Sequence, residues 1–574
     1  MVMKTAEISL RERSHILYSQ LYQERLTWVD EWEQMARFVC PVRPRFGNSE
    51  INQGGRRNQW IIDGTATRAA RTTVAGLVAG LTPSNRRWFQ LTHPDQVLRE
   101  TKAVASYLHD STDAIHSVLS KSNFYQAMGG FYGDWVTFSN ACLFVEPDKE
   151  DVVRFLPIPI GEWACANDHK GRGRTFMREF QLTVRQTVEK FCKKKDGKYD
   201  LSKIDSQIRA SYEAGNTEDK VKIIHLIYPN DRYDKTEVDF SKKYISVYYE
   251  RGVIKNRSYG DAGASTQQAL RVSGYDRFPV LFGRWGLRPG DCYGSWGPSN
   301  IALGDVQELQ YFSRMQADAV DKQVNPPMKG STRLKKEGTI PKGGRVMWLS
   351  DPNSAATLDR IYNFIFDVDH ATQLRDKIAE SIKDAYYVNA FQRFISTNRS
   401  YLTAKQVGQE EKEILTELSP VLELLNYDVL SPLVDIVYEE MATANVLPEA
   451  PEELQDQILD IEYVSALHQA QRLMDATGIE RFTGFAGTLA QADQSVLQIL
   501  NAEELLRNYR RATSIDPNVL RSKKEVEKIR QELAEQQQAQ QQIDNTAGES
   551  EIAKNLSQAE IGEDENALQA MLGR

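Results

Sequence analysis

"QADAVDKQVNPPMKG", residues Gln316–Gly330, is where a long helical pattern meets a hard stop. From Ser299 to Val324 no proline interrupts, and Val306, Leu309, Phe312, Met315, Ala319 and Val320 recur at helical spacing. At 1.5 Å per residue this run is ~39 Å long. It arrives at Asn325 and ends against Pro326 and Pro327, because the residue before a proline is pushed out of the α region. "NPPMKGSTRLKKEGTIPKGGRVMWLSDPNS" then supplies proline, glycine and short apolar stretches, which predicts a small capped element and not a helix. From Leu358 helical spacing resumes through Ile361, Ile365, Val368, Leu374, Ile378 and Ile382. The expectation is two antiparallel helices, 299–324 and 358–384, joined by a compact tip.

N-terminal to this hairpin the pattern is mixed. Residues 7–38 space apolar groups helically and end at "CPVRPRF". "IIDGTATRAARTTVAGLVAGLTPSNRRWFQL" predicts a helix with Asp63 or Thr65 as cap, whose Ala75, Gly76, Ala79 and Gly80 admit a close neighbour. A helix over Val104–Ser120 follows. "VVRFLPIPI", "EWACAN", "TFMREFQLT", "VKIIHLIYP", "KYISVYYE" and "RFPVLFGRW" read as strands, with "DHKGRG" as a hairpin turn. The first half is therefore an α+β body in a predominantly α chain. Arg172 and Arg174 in that turn are either nucleic-acid contacts or a solvated hairpin tip.

C-terminal to the hairpin, "AYYVNAFQRFISTNRS" reads as a loop between helices. "YLTAKQVGQEEKEILTELSPVLELLNYDVLSPLVDIVYEEMATANVLPEAP" runs helically, with Pro420 and Pro432 as kinks or joints. Val526, Ile529 and Leu533 form a short seam before "EQQQAQQQIDNTAGESEIAKNLSQAE", which is either a disordered tail or the weakly specified end of a helical bundle.

The 574 residues exceed what one hydrophobic core fills, so two or more structural regions are expected. Hydrophobic residues at 41% and charged residues at 26% suit a folded soluble chain. A net charge of −8 argues against nucleic-acid binding by bulk charge, so any basic function is local. The main local excess is in the tip, where Lys329, Arg333, Lys335, Lys336, Lys342 and Arg345 face Glu337 alone. That excess is either a solvated loop or a docking surface for an acidic patch or phosphate.

Chemical motifs are sparse. GxxxxGK[ST], HExxH, GxSxG and GxGxxG do not occur. Cys40, Cys142, Cys165, Cys192 and Cys292 are odd in number and form no CxxC pair, which argues against a disulfide framework or zinc site. "DCYGSWG", Asp291–Gly297, reads as a glycine-rich strand-to-helix turn. His109 and His116, seven apart, share a helix face without a carboxylate pattern that would make them metal ligands. The opening "MVMKTAEISLRERSH" lacks the apolar core of a signal peptide, and no run approaches the ~18 apolar residues of a membrane span. The expectation is a non-enzymatic protein without cofactor or metal, made in a cytosol.

"TAKQVGQEEKEILTELSPVLELLNYDVLSPLVDIVYEEMATANVLP" resembles the signature of the head-to-tail connector, or portal, proteins of short-tailed bacteriophages. "IIDGTATRAARTTVAGLVAGLTPSNRRWFQL", "SNFYQAMGGFYGDW", "FPVLFGRW…YGSWGPSNIALGDVQELQ" and the later "IEYVSALHQAQRL" and "RSKKEVEKIRQE" continue the resemblance in order, over about Arg11–Glu535. The chain departs from the pattern at "GQEE", where the family more often has arginine after the valine.

The resemblance implies a portal fold: wing (1–298), stem helices (299–324 and 358–384), clip (325–357), tunnel loop (385–400), wing and crown helices (401–500), and crown or barrel helices with the Gln-rich tail (501–574). It implies a homo-oligomeric ring, usually twelvefold, at one capsid vertex of the virion, assembled in the host cytoplasm without membrane. Double-stranded DNA would pass through it, terminase and then a tail adaptor would dock on it, and capsid and scaffolding proteins would hold it. Arg393 and Arg399 become candidates for phosphate contacts in the channel, with intersubunit salt bridges as the alternative. The six basic tip residues become the docking candidates. Two other classes stay open: a non-ring helical scaffold protein, and a metal-dependent nuclease.

Overall fold

Helix α1 (Leu10–Phe38) lies on a sheet it helps to bury, and the rest of the N-terminal body is arranged around that contact. In this computed structural model residues 10–42, 45–46, 57–95, 98, 101–195, 198–231, 241–251, 269–332, 346–349, 358–361, 367–396, 418–454, 459–463 and 482–489 are described, with the shorter pieces 501, 504–506, 509, 526, 528–533, 535–536, 560–562 and 565–566. They divide into two units, Met1–Pro94 with Ala103–Met474, and Asp95–Lys102 with Asp475–Arg574.

In chain order the first unit continues with α2 (Thr65–Leu81), β1 (Phe89–Thr92), α3 (Lys102–Lys121, whose first residue belongs to the second unit), α4 (Phe124–Phe138), β2 (Asn140–Asp148), β3 (Val152–Ile158), β4 (Trp163–Asn167) and β5 (Gly173–Thr183). Then come α5 (Val184–Phe191), β6 (Lys194–Lys195), β7 (Lys198–Tyr199), α6 (Ser206–Glu213), β8 (Lys220–Pro229), β9 (Tyr244–Glu250), β10 (Arg271–Tyr275) and β11 (Val280–Arg284). The hairpin region supplies α7 (Pro298–Val324), β12 (Met328–Ser331), β13 (Val346–Leu349), β14 (Leu358–Arg360), α8 (Val368–Ala385) and α9 (Val388–Ser396). Helix α10 (Ser431–Thr443) and β15 (Asp460–Tyr463), which pairs with β1, complete the unit.

Five antiparallel strands in the order β10-β9-β8-β5-β4 form the main sheet, and β11-β2-β3 form a second. The alternation of side chains along β8 explains why "VKIIHLIYP" reads as a nearly continuous apolar run. Ile224 and Leu226 meet Tyr18 and Leu21 of α1, whereas Ile223 and Ile227 are buried on the opposite face. On that face Ile227, Trp163, Cys165 and Phe176 pack against Cys142, Phe144, Val280 and Phe282 of the second sheet, closed at one end by Trp32 and Met35. A larger core joins α2, α3, α4 and α10 around Trp88, Phe124 and Trp135.

Asp63 caps the start of α2 through hydrogen bonds from the Thr65 N–H and hydroxyl, as its sequence predicts, although the residue at the cap position is Gly64. The small-residue face of α2 receives α9. A Cβ placed on Gly76 would fall inside the fully buried ring of Phe391. Segment 385–400 was expected as a loop; it is helical over Val388–Ser396, because Val388, Ala390 and Phe391 find cover against the core. The corner before it is made by Tyr386, buried, and Tyr387, which adopts the left-handed conformation at φ 54°.

Pro432 is a joint, as expected. It has no N–H to offer the carbonyl four residues back, and the preceding turn, Asn426–Leu430, widens to a π-helix in which the Ser431 N–H reaches Asn426. This turn presents Asp428 to Arg284 of β11. The two are almost fully buried and joined in a two-pronged pair, Nε to Oδ2 and Nη2 to Oδ1 at 2.9 Å each. The third nitrogen of Arg284 donates to the Asn167 side chain and the Gly171 carbonyl of the β4–β5 turn. Burial pushes the Asp428 carboxyl up, against the pull of Arg284. Next to the pair, Arg172 donates to the Tyr427 hydroxyl and lies 4.8 Å from the centre of its ring, so its guanidinium serves a contact within the chain.

In the second unit residues 482–489 are helical, with Ala486 buried and Phe482, Phe485 and Leu489 exposed. Residues 528–533 are helical and Leu533 is exposed. At the end of the Gln-rich segment and just beyond it, Glu560–Gly562 (β16) and Glu565–Asn566 (β17) form a short hairpin.

Two stability predictions follow from this packing. Asp428→Ala leaves a buried guanidinium with one partner fewer, and the expected cost is about 3–5 kcal/mol, read as a lowered denaturation midpoint. Gly76→Ala forces α9 off α2 at a cost of about 1–3 kcal/mol. Adding Phe391→Ala to Gly76→Ala should cost less than the sum of the two single changes, because the clash is gone; additive losses would show that the two residues do not press on each other.

Candidate assembly site: the helical hairpin and its tip

Helix α7 is seated by its first turns. Pro298 occupies the first helical position, where its missing N–H is harmless. Ser139, in the left-handed conformation at the end of α4, accepts from the Gly297 N–H and donates to Asn300, whose amide reaches Glu31 of α1 at 2.6 Å. The Ser299 and Tyr386 hydroxyls meet at 2.7 Å in the core. Higher up, Gln310 clasps the segment before α2: its carbonyl accepts from the Ile62 and Asp63 N–H groups at 2.7 and 2.9 Å, and its amide donates to the Asp63 carbonyl at 2.8 Å. Ala302, Val306, Leu309 and Gln310 are buried by these contacts.

Beyond Gln310 only Ala319 of this helix is buried. Helix α8 packs along it, with Ser381 donating to Asp305 at 2.6 Å and Gln316 to Thr372 at 3.3 Å. Large apolar side chains stay uncovered on both helices: Tyr311 is 66% exposed, Met315 52% and Val324 70%, and Ile301, Val320, Val368 and Leu374 are also exposed. An open groove of about 620 Å³ runs beside the outer half of α7, lined by Ile62, Ser313, Ala317, Val320, Val324 and Arg375.

The second helix differs from its sequence expectation. Helical spacing in the sequence resumes at Leu358, but Leu358–Arg360 is a strand, and the helix begins at Val368, where Asp367 caps it by accepting from the Asp369 and His370 N–H groups at 3.1 and 3.0 Å. The strand is held by main-chain pairing to β12, which overrides side-chain periodicity. Strand β12 is central in the tip sheet, antiparallel to β14 and parallel to β13. The Ile361 N–H donates to the Pro327 carbonyl at 3.0 Å, which ties the end of the tip sheet to its beginning.

Of the six basic tip candidates, Lys329 is on β12, exposed and opposite Asp359 in the antiparallel register, an arrangement that favours opposite charges. Arg333, Lys335, Lys336, Lys342 and Arg345 lie outside the described residues. Arg393 falls within α9 and not in a loop; Arg399 lies outside the described residues. Of the eight candidates, Lys329 and Arg393 fall among the described residues.

The groups that might suggest chemistry are occupied. His116 Nε2 is 3.2 Å from the Phe89 carbonyl and the ring stacks on Phe89, while His109 pairs with Asp113. Among the described residues no three of His, Cys, Asp and Glu gather in a way that could hold a metal. His225 and Ser246 do approach to 2.9 Å, a serine–histidine pair that sequence spacing does not disclose because cross-strand register creates it. Both are buried, with His225 stacked 3.7 Å over Tyr248 and its pKa driven well down by burial, so the pair satisfies a polar site in the core. The five cysteines are free thiols. Among the described residues no helix is long and apolar enough to cross a membrane.

A family model described as bacteriophage head to tail connecting protein matches residues 11–520. The chain is 32% identical over 564 residues to the portal protein of Salmonella phage epsilon15, covering 98% of both. It is 33% identical over 528 residues to the probable portal protein of Bordetella phage BPP-1, covering 92% of this chain and 91% of that one. Among solved structures, a chain from the neck of an empty gene transfer agent particle has 10% identity and a TM-score of 0.33 over 72% of this chain and 86% of its own length. One from the virion of the native gene transfer agent has 12% identity and a TM-score of 0.30 over 68% and 88%. On the family match and the two near-full-length relatives, this chain belongs to the bacteriophage head to tail connecting proteins.

Proposed function

We infer that the chain is a phage portal: a homo-oligomeric ring, twelvefold, at one vertex of the capsid, through which double-stranded DNA is packaged and ejected. The observation that carries this reading is the pair of uncovered apolar surfaces on the long helix. Tyr311, Met315, Val320 and Val324 would stay wet in a monomer, and a heterologous interface closed by rotation covers such a face in every copy. The names of the two relatives support it.

In this reading α7 and α8 are the stem, the β12–β13–β14 element is the clip, 385–400 including α9 is the tunnel segment, the α+β body is the wing, and 501–574 contributes crown or barrel. The net charge of −8 suits a conduit that must not hold the DNA it passes, since many phosphate contacts would make it sticky and salt-dependent. Arg393 and Arg399 would make sparse, transient phosphate contacts. Lys329, Arg333, Lys335, Lys336, Lys342 and Arg345 would dock the terminase and then the tail adaptor, and capsid and scaffolding proteins would hold the ring in the virion after assembly in the host cytoplasm. The protein works as a structural channel and not as a catalyst.

Light scattering and negative-stain images test the ring. Twelve copies of the 65.3 kDa chain give about 784 kDa and an annular outline; a particle that stays at 65.3 kDa at every concentration would sink the reading. For the tip, reversing both Lys335 and Lys336 to Glu should abolish adaptor and terminase docking in a pull-down while rings still form. Undiminished docking would remove the tip from that role.

A further inference from the structure

The outer half of α7 carries two different surfaces on opposite sides. Tyr311 and Val320 are nine residues apart, as are Met315 and Val324, and nine residues are about two and a half turns, which places the members of each pair on opposite faces. One face presents Tyr311 and Met315 as projecting side chains, one turn apart. The other is the open groove of Ser313, Ala317, Val320 and Val324, walled by Ile62 and by Arg375 of α8. The projecting face and the lower half of the groove lie at the same level along the helix.

Three features point to one occupant. The groove is apolar along its floor and large enough for aromatic and thioether side chains. Its Ser313 hydroxyl is buried with no hydrogen-bond partner, and a turn of that side chain toward the groove would bring it to an incoming phenol. Its rim carries both signs, Asp63 and Asp321 with Arg375, and the projecting face carries exposed Asp318 and Lys322, two and three turns along from Tyr311, so the two surfaces can pair opposite charges.

We propose that Tyr311 and Met315 of one copy seat in the Ser313–Val320–Val324 groove of the next, so that each α7 is clamped between its two neighbours. The proposal deepens the ring reading and rests on it. The contact is heterologous: the projecting face of every copy is spent on one neighbour and the groove on the other, so a pair of copies leaves one of each open and only a closed ring leaves none. Tyr311, a rigid aromatic in a pocket rimmed by charge, is placed as the anchor.

Full-length protein carrying Tyr311→Cys and Ala317→Cys, which faces the groove at the level Tyr311 reaches, is treated with a short bismaleimide and run on a denaturing gel. Within one chain the two positions are about 9 Å apart along the helix and on different sides, and a link inside one chain leaves the band at monomer mass, so only contacts between copies build a ladder. A ladder from dimer upward, absent from either single variant, is the expected result. In parallel, Tyr311→Ala should raise the concentration needed for assembly about tenfold or more, while Val272→Ala, which trims another exposed apolar side chain, on β10, should leave it unchanged. Rings without a ladder, or Tyr311→Ala rings at the wild-type concentration, overturn the pairing and leave the ring standing. Dimers from the Tyr311→Cys single variant overturn it in favour of a two-fold contact. Wild-type protein that never forms rings overturns both readings.

Discussion

A helix of 27 residues, about 40 Å long, outgrows the core that starts it, and much of the hairpin's character follows from that excess of length. Up to Gln310 the inner face of α7 is covered by its own chain. Beyond Gln310 the helix keeps the same apolar spacing, but the body has ended at the Ile62–Asp63 segment. The periodicity continues where the cover does not. Such a helix is stable in water only at the cost of wetting valines on that face and a tyrosine and a methionine on the opposite one, or when other surfaces close over both.

A projecting helix needs a rigid root, and the N-terminal body supplies one by polar contacts in apolar surroundings. Ser139, Asn300 and Glu31 lock its first turn to two other helices. Ser299 and Tyr386 bind the start of α7 to the end of α8. Gln310 uses both ends of its amide on one backbone segment, a bidentate clasp with no flexible partner. The Arg284–Asp428 pair does the same for the sheet body. It joins β11, the β4–β5 turn and the π-turn before Pro432 in one buried network, so those three elements shift together or not at all. Helix α9 is fixed differently, by shape, with Phe391 occupying the space that only glycine at position 76 leaves open.

The distribution of charge is consistent with division of labour along the chain. The body satisfies its buried charges internally, as Glu162 does with Arg45 and Arg178 at 2.8 and 3.0 Å. Arg172, one of the two arginines whose position in a hairpin tip hinted at a phosphate contact, is spent on Tyr427. In the tip, Lys329 stands exposed on the central strand beside an aspartate in register.

Much of the architecture is legible in local sequence. The long helix is bounded by Gly297-Pro298 and Asn325-Pro326, the strands by their alternation, the α2 cap by Asp63, and the joint by Pro432; each depends on residues a few positions apart, which periodicity and backbone sterics capture. What sequence could not settle depends on partners distant along the chain. Leu358–Arg360 has helical spacing yet is a strand, because β12 offers it a main-chain ladder. Segment 388–396 reads as a loop yet is helical, because Gly76 lies more than three hundred residues upstream. His225 and Ser246 meet only through strand register, and Arg284 finds Asp428 only once a proline has widened a helix. Periodicity states which face of α7 is apolar; where the body stops, and hence which part of that face is left for a neighbour, is decided by the tertiary structure alone.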